Sequence, residues 1–216
     1  MSGGLDSCVT AGLARLNYRV AGMHVSYGQR TDAREKRAFE EIVRHMGIEK
    51  TIEFKLNFLK EIGGSSLTDS SLPIPSVEEI KSGTPSTYVP FRNGVLLAVA
   101  SAWAEAIGAE AVFIGAVAPD VPDGYPDTSV EFFEAFQKAV EIGTKRETHI
   151  KIVAPLARKE KYEVVKIGME LNAPLHFTWS CYQNDEMACG KCMSCVSRLE
   201  AFRKAGLDDP IPYELK

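Results

Sequence analysis

Four of the chain's five cysteines, Cys181, Cys189, Cys192 and Cys195, crowd into the spacing C-x7-C-x2-C-x2-C. The two short spacings bring three sulfurs to one point, and the seven-residue loop is long enough to return the fourth. Gly190 lets the chain wrap tightly there. Such a set completes a tetrahedral four-thiolate shell for one structural zinc ion per chain. An iron–sulfur cluster also takes four cysteines, and packed thiols without metal are the plain alternative. A closed zinc shell has no open position for water, so it staples a small lobe and does no catalysis. An odd cysteine count fits a reducing, cytoplasmic setting better than a disulfide framework. Cys8 stands apart and reads as a small apolar residue packed in a first helical turn.

Upstream of the cluster, helical and strand-like patterns alternate. Val9, Leu13 and Leu16 recur at helical spacing over 8–16, and a strand reads from 19 to 26. Asp32 is placed to cap a helix that buries Phe39, Ile42, Val43 and Met46 and stops at Gly47. A strand follows at 50–55, then an irregular Ser/Gly/Pro-rich stretch over 56–90 of the kind that is functional or mobile. A long apolar helix spans 93–107, a buried strand 111–115, and a Pro/Gly/Asp loop runs to 128. Ser129 caps the next helix, and a last α/β unit covers 150–171. Alternation of this kind predicts an α/β fold, a doubly wound, mostly parallel sheet with ligands at the carboxyl ends of its strands. The expected division is a nucleotide-binding domain over 1–173 and a zinc-binding lobe over 174–216.

With 216 residues, the chain can bury roughly 70% of its unfolded surface and needs no disulfides to form a core. Its 25 Lys and Arg against 29 Asp and Glu give a net charge of −4, which argues against nucleic-acid backbones as partners and for a small ligand. No apolar run approaches the ~20 residues that cross a bilayer, so no membrane role is expected.

Ser2, Gly3, Gly4, Leu5, Asp6 and Ser7 lead directly into the first helix. The glycines permit a tight turn with amides free at the helix start, a nest for anions. Ser2 and Ser7 can add hydroxyl contacts to phosphate, while Asp6 either caps the helix or reaches a metal ion held by phosphates. A frayed terminus before a capped helix has the same spacing.

The run also resembles the SGGxDS loop of the ATP-pyrophosphatases, which cleave ATP between its α and β phosphates to adenylate a substrate. In that superfamily a strand precedes the loop, so a longer natural chain with a Val/Ile-rich run before Met1 is expected. Further segments resemble the 7-cyano-7-deazaguanine synthase (QueC) family of queuosine biosynthesis nearly end to end. They are Tyr27-Gly28-Gln29-Arg30, Thr87-Tyr88-Val89-Pro90 with Arg92-Asn93, Gly124-Tyr125-Pro126-Asp127, and the cysteine cluster. Phe91 departs from the pattern, standing where the family often has Gly.

The resemblance implies an adenine nucleotide alpha hydrolase-like fold. It also implies ATP with Mg2+, 7-carboxy-7-deazaguanine and ammonia as substrates, and a homodimer. Under it Asp6, Lys161 and Arg92 are the catalytic candidates: Lys161 stabilises departing pyrophosphate, and Arg92, with Arg30, contacts phosphate or carboxylate. The loop at Tyr125 and Asp127 helps enclose the substrate, although by its own residues it reads as turn chemistry with Asp127 capping the helix after it. Related activities share the activating step, namely an enzyme acting on tRNA or one joining a deazaguanine to a protein amine. An inactive zinc-stapled binding module is the non-enzymatic reading. The four histidines show no metal spacing.

Overall fold

The computed structural model describes residues 1–79, 83–117 and 124–214. Helix α1 (Leu5–Arg15) starts earlier than its sequence pattern suggested. Gly4 is extended and Cys8 N donates to Gly4 O at 3.1 Å, so Leu5 to Ser7 form the first turn. Leu5 is 1% exposed and continues the buried face of Cys8 and Val9, a position masked in the sequence by the glycines before it. At the other end Leu16 lies beyond the helix and is 64% exposed, so it does not belong to the expected apolar face.

Strand β1 (Gly22–Ser26) pairs in parallel with β2 (Thr51–Lys55), and helix α2 (Asp32–His45) crosses between them. Asp32 does not cap α2. It is the first helical residue, and the capping position falls to Thr31, whose hydroxyl donates to Glu35 instead of holding a backbone amide. Phe39, Ile42, Val43 and Met46 are buried as the pattern requires, and Gly47, at φ +64°, ends the helix.

The stretch over 56–90 is irregular but packed. A short helix, α3 (Phe58–Ile62), buries Leu59, which clusters with Tyr27, Leu67 and Val89. Helix α4 (Arg92–Ile107) follows, ending at Gly108 in the left-handed region. Strand β3 (Ala111–Phe113) pairs in parallel with β4 (Lys151–Val153). Of the loop expected up to 128, residues 118–123 lie outside the described residues. Ser129 caps α5 (Val130–Gly143), its hydroxyl accepting from Phe132 N at 3.1 Å. Glu160 and Glu163 form a capping box on α6 (Lys161–Glu170).

The expected parallel α/β architecture is present. Among the described residues its strands pair as two two-stranded parallel sheets, β1 with β2 and β3 with β4. One core joins α1, α2 and α6 through Leu5, Val9, Phe39, Ile42, Val164 and Val165. A second joins α4, β3, α5 and β4 through Leu97, Val112, Phe133 and the partly buried Ile152, with Ile150 just before β4.

The last helix, α7 (Met193–Ala205), packs along α6 and sends Ala201 and Phe202 into the first core. Its Arg198 side chain is fully buried and forms a two-pronged pair with Asp209, Nε to Oδ2 at 2.7 Å and Nη2 to Oδ1 at 3.0 Å. Thr178 and Ser180 accept from the remaining guanidinium nitrogen, and Tyr213 donates its hydroxyl to Asp209 at 2.6 Å. Nearly every polar atom of the network is partnered, the condition under which a buried ion pair is tolerated.

Candidate active site and four-cysteine centre

Local sterics fix the turn over 2–7. Gly3 has φ +79°, and a Cβ there would lie 2.4 Å from Glu35 O and 2.8 Å from Ala38 Cβ, so only glycine fits against α2. Ser2 Oγ accepts from Gly4 N at 3.2 Å, and Ser7 Oγ donates to Gly4 O at 3.0 Å. The two serine hydroxyls are 3.3 Å apart. Amides in the first turn of α1 have no carbonyl partner within the helix, and the helix dipole adds positive potential there. The turn therefore presents hydroxyls and a helix start together, an arrangement suited to phosphate.

Asp6, in that first turn, receives the Lys161 ammonium on Oδ2 at 2.5 Å across 155 residues of sequence. The pair is about one-fifth exposed at both side chains. The other carboxylate oxygen, Oδ1, is buried with no hydrogen-bond partner among the described residues. A hard oxygen left unpaired beside an anion nest is a suitable ligand for Mg2+. Lys161 is the first residue of α6, so the packing of α6 on α1 brings the two together. Sequence reasoning missed Gly115, just past β3: a Cβ on it would sit 2.9 Å from the Asp6 carbonyl carbon and Ser7 N. A glycine following an apolar strand was the available signal, because it marks close backbone approach.

Arg92 stands at the start of α4. It donates to the Tyr27 hydroxyl at 2.8 Å with its guanidinium over the same ring. Phe91, before it, has φ +52°, a left-handed conformation that glycine would adopt without penalty. The structure joins the two QueC-like segments around Arg92 through Asp127. Its Oδ2 accepts from Asn93 N at 2.8 Å, so it caps α4 and not the helix that comes after it in sequence. Thr87 and Tyr125 share a hydroxyl contact of 2.7 Å in the same region. Arg30, in contrast, is committed to backbone carbonyls: its guanidinium donates to Asp69 O at 2.8 Å and to Leu72 O. It braces the 69–72 turn.

Glu35 lies behind the turn over 2–7, accepting from Thr31 Oγ1 at 3.0 Å and Gln29 Nε2 at 3.1 Å. Burial pushes its carboxyl up from 4.5 to about 7, against the opposing effect of those hydrogen bonds. Cys8 is fully buried, and desolvation raises its thiol to about 12. It is a packing residue, as its sequence context indicated.

The four remaining cysteines meet at the start of α7, all buried, with sulfurs within 4.8 Å of one another. Cys189 Sγ and Cys195 Sγ are 3.9 Å apart, close to the roughly 3.8 Å separation that Zn–S bonds of about 2.3 Å impose in a tetrahedron. A four-iron cluster would spread its thiolates over separate irons and needs a wider set. Gln183, Asn184 and Cys189 amides donate to Cys181 Sγ, each at 3.4 Å, and Cys192 N donates to Cys189 Sγ at 3.4 Å. Such amide donors stabilise thiolate charge, so the donor set fits a single tetrahedral metal ion.

A family profile described as queuosine biosynthesis protein QueC matches residues 1–206. A 7-cyano-7-deazaguanine synthase from Chlorobium chlorochromatii is 51% identical over 218 aligned positions, which cover 100% of this chain and 95% of the relative. The protein of that name from Chlorobium phaeobacteroides strain BS1 is 50% identical, with 100% of this chain and 96% of the relative covered. One from the archaeon Methanospirillum hungatei is 47% identical, covering 99% and 97%.

Proposed function

The chain belongs to the queuosine biosynthesis protein QueC family, and from that membership we propose that it converts 7-carboxy-7-deazaguanine, ammonia and ATP to 7-cyano-7-deazaguanine. The observation that carries the reading is Asp6, placed in a phosphate-shaped turn with one oxygen on Lys161 and the other buried and unpaired.

A carboxylate resists nucleophiles because its leaving group is oxide. Attack of the substrate carboxylate on the α phosphorus of ATP releases pyrophosphate and forms an acyl-adenylate. Ammonia adds to the acyl carbon, AMP leaves, and a proton is lost to give the amide. Attack of the amide oxygen on a second ATP releases pyrophosphate again. Loss of AMP and of both nitrogen-bound protons from that adduct leaves the nitrile. Two ATP are consumed because two oxygens leave the carbon.

The protein's contribution is positioning and charge stabilisation. Ser2, Gly3, Gly4, Leu5 and Ser7 would hold the phosphates by amide and hydroxyl donors. Lys161 would shift from Asp6 toward departing pyrophosphate. Arg92, oriented by Tyr27, would face the substrate carboxylate. Mg2+ held at Asp6 would neutralise pyrophosphate charge. Zinc is the metal that the sulfur separations favour, with residues 174–216 forming the stapled lobe and 1–173 the nucleotide-binding domain. Five unpaired cysteines suit the reducing cytoplasm. A second copy of the chain as partner rests on the family resemblance, and light scattering of the purified protein tests it.

Asp6→Ala should lower AMP release by about 10²-fold or more while leaving bound zinc at one ion per chain. Undiminished turnover would remove Asp6 from the mechanism.

A further inference from the structure

Three hydrogen bonds connect the four-cysteine centre to the phosphate turn. The Asn184 amide donates to Cys181 Sγ at 3.4 Å. The carbonyl of Asn184, inside the loop between Cys181 and Cys189, accepts from Trp179 Nε1 at 3.0 Å. Trp179 N in turn donates to Gly3 O at 2.9 Å. The indole is 2% exposed and carries the Arg34 guanidinium 4.5 Å above its centroid. Arg34 precedes Glu35, whose carbonyl lies against Gly3. Gly3 is thus clasped between α2 and Trp179.

Gly3 is the residue of the turn that gains most from such a clasp. Its left-handed conformation is one of several open to glycine, and ordering it costs more backbone entropy than ordering any other residue. A turn already ordered binds phosphate without that cost. Trp179 lies two residues before Cys181, so metal binding that fixes Cys181 also fixes the indole and the amide that holds Gly3 O.

We propose that Trp179 is a positioning residue that couples the four-cysteine centre to the nucleotide site, so that metal in the lobe tightens ATP binding and ATP tightens metal retention. The inference rests on the nucleotide reading of residues 2–7. Reciprocity follows because coupling between two binding equilibria is symmetric.

The test uses full-length, metal-loaded protein and α,β-methylene-ATP with Mg2+, which cannot be cleaved at the α–β bridge. In the unaltered chain, saturating nucleotide should slow metal transfer to a colorimetric chelator about fivefold. Trp179→Phe keeps an aromatic ring and removes the indole donor. It should weaken nucleotide binding by calorimetry about five- to tenfold, abolish most of the chelator protection, and raise the KM for ATP much more than it lowers kcat. Tyr213→Phe is the comparison, because it loses a lobe hydrogen bond to Asp209 outside this linkage. It should lower Tm while leaving the nucleotide affinity unchanged.

A Trp179→Phe affinity equal to that of the unaltered chain, equal weakening in both variants, or no nucleotide effect on metal release would each overturn the coupling. No nucleotide uptake by the unaltered protein would overturn the nucleotide reading first, and the coupling with it.

Discussion

At the residue scale, the two acids beside the turn over 2–7 meet different partners. Asp6 meets a lysine, whereas Glu35 meets only neutral donors, and its carboxyl is pushed up from 4.5 to about 7. Unfolded, Glu35 releases its proton near 4.5; folded, it holds it to about 7. Folding therefore takes up a proton between those values, and stability from this group falls as pH rises through that window. Glu35→Gln should raise the thermal midpoint at pH 8 and leave it unchanged near pH 4.5. A gain of equal size at both pH values would contradict the assignment. The gathering of the four cysteines, and of Ser2, Asp6 and Ser7 in one turn, was legible in sequence because the members of each group lie close along the chain. Glu35 and Gly115 were not, since their importance comes from what packs against Gly3 and Asp6. Lys161 was identified by family resemblance, and only the packing of α6 on α1 shows that its partner is Asp6.

At the scale of elements, periodicity located the helices α1, α2, α4, α5 and α6 but not α3 or α7, and helix ends were read less well. The start of α1 was displaced because glycines that read as a loop stand directly before its first turn. Asp32 was misassigned as a cap because a favourable residue type stood one position inside the helix, where Thr31 already held the boundary. Asp127 shows the same limit over distance: its side chain caps α4, which begins 35 positions upstream of it. Asp127→Ala should cost about 1–2 kcal/mol in urea denaturation, and Asp127→Asn, which keeps an acceptor, should cost much less. Equal losses in the two variants would mean that the contact with Asn93 N does not stabilise α4. Strand pairing is non-local, so the grouping into two parallel pairs could not be read from runs of apolar residues.

At the scale of the whole molecule, two arrangements hold the segment from Leu175 to Tyr213 together: the four-cysteine centre and the Arg198–Asp209 network. Arg198→Leu strands a buried carboxylate and should cost about 3–5 kcal/mol, or a fall in Tm of roughly 10 °C at this chain length. Replacing Asp209 by Leu as well should recover part of the loss. If the double variant were less stable than the single one, the network would owe its effect to something other than charge burial. The proposed function is the priming of an unreactive acid by nucleotide. The most direct measurement is product analysis of the purified, metal-loaded protein supplied with 7-carboxy-7-deazaguanine, ammonium, ATP and Mg2+. The account predicts 7-cyano-7-deazaguanine with two AMP formed per nitrile; release of ADP in place of AMP, or recovery of the acid unchanged, would contradict it.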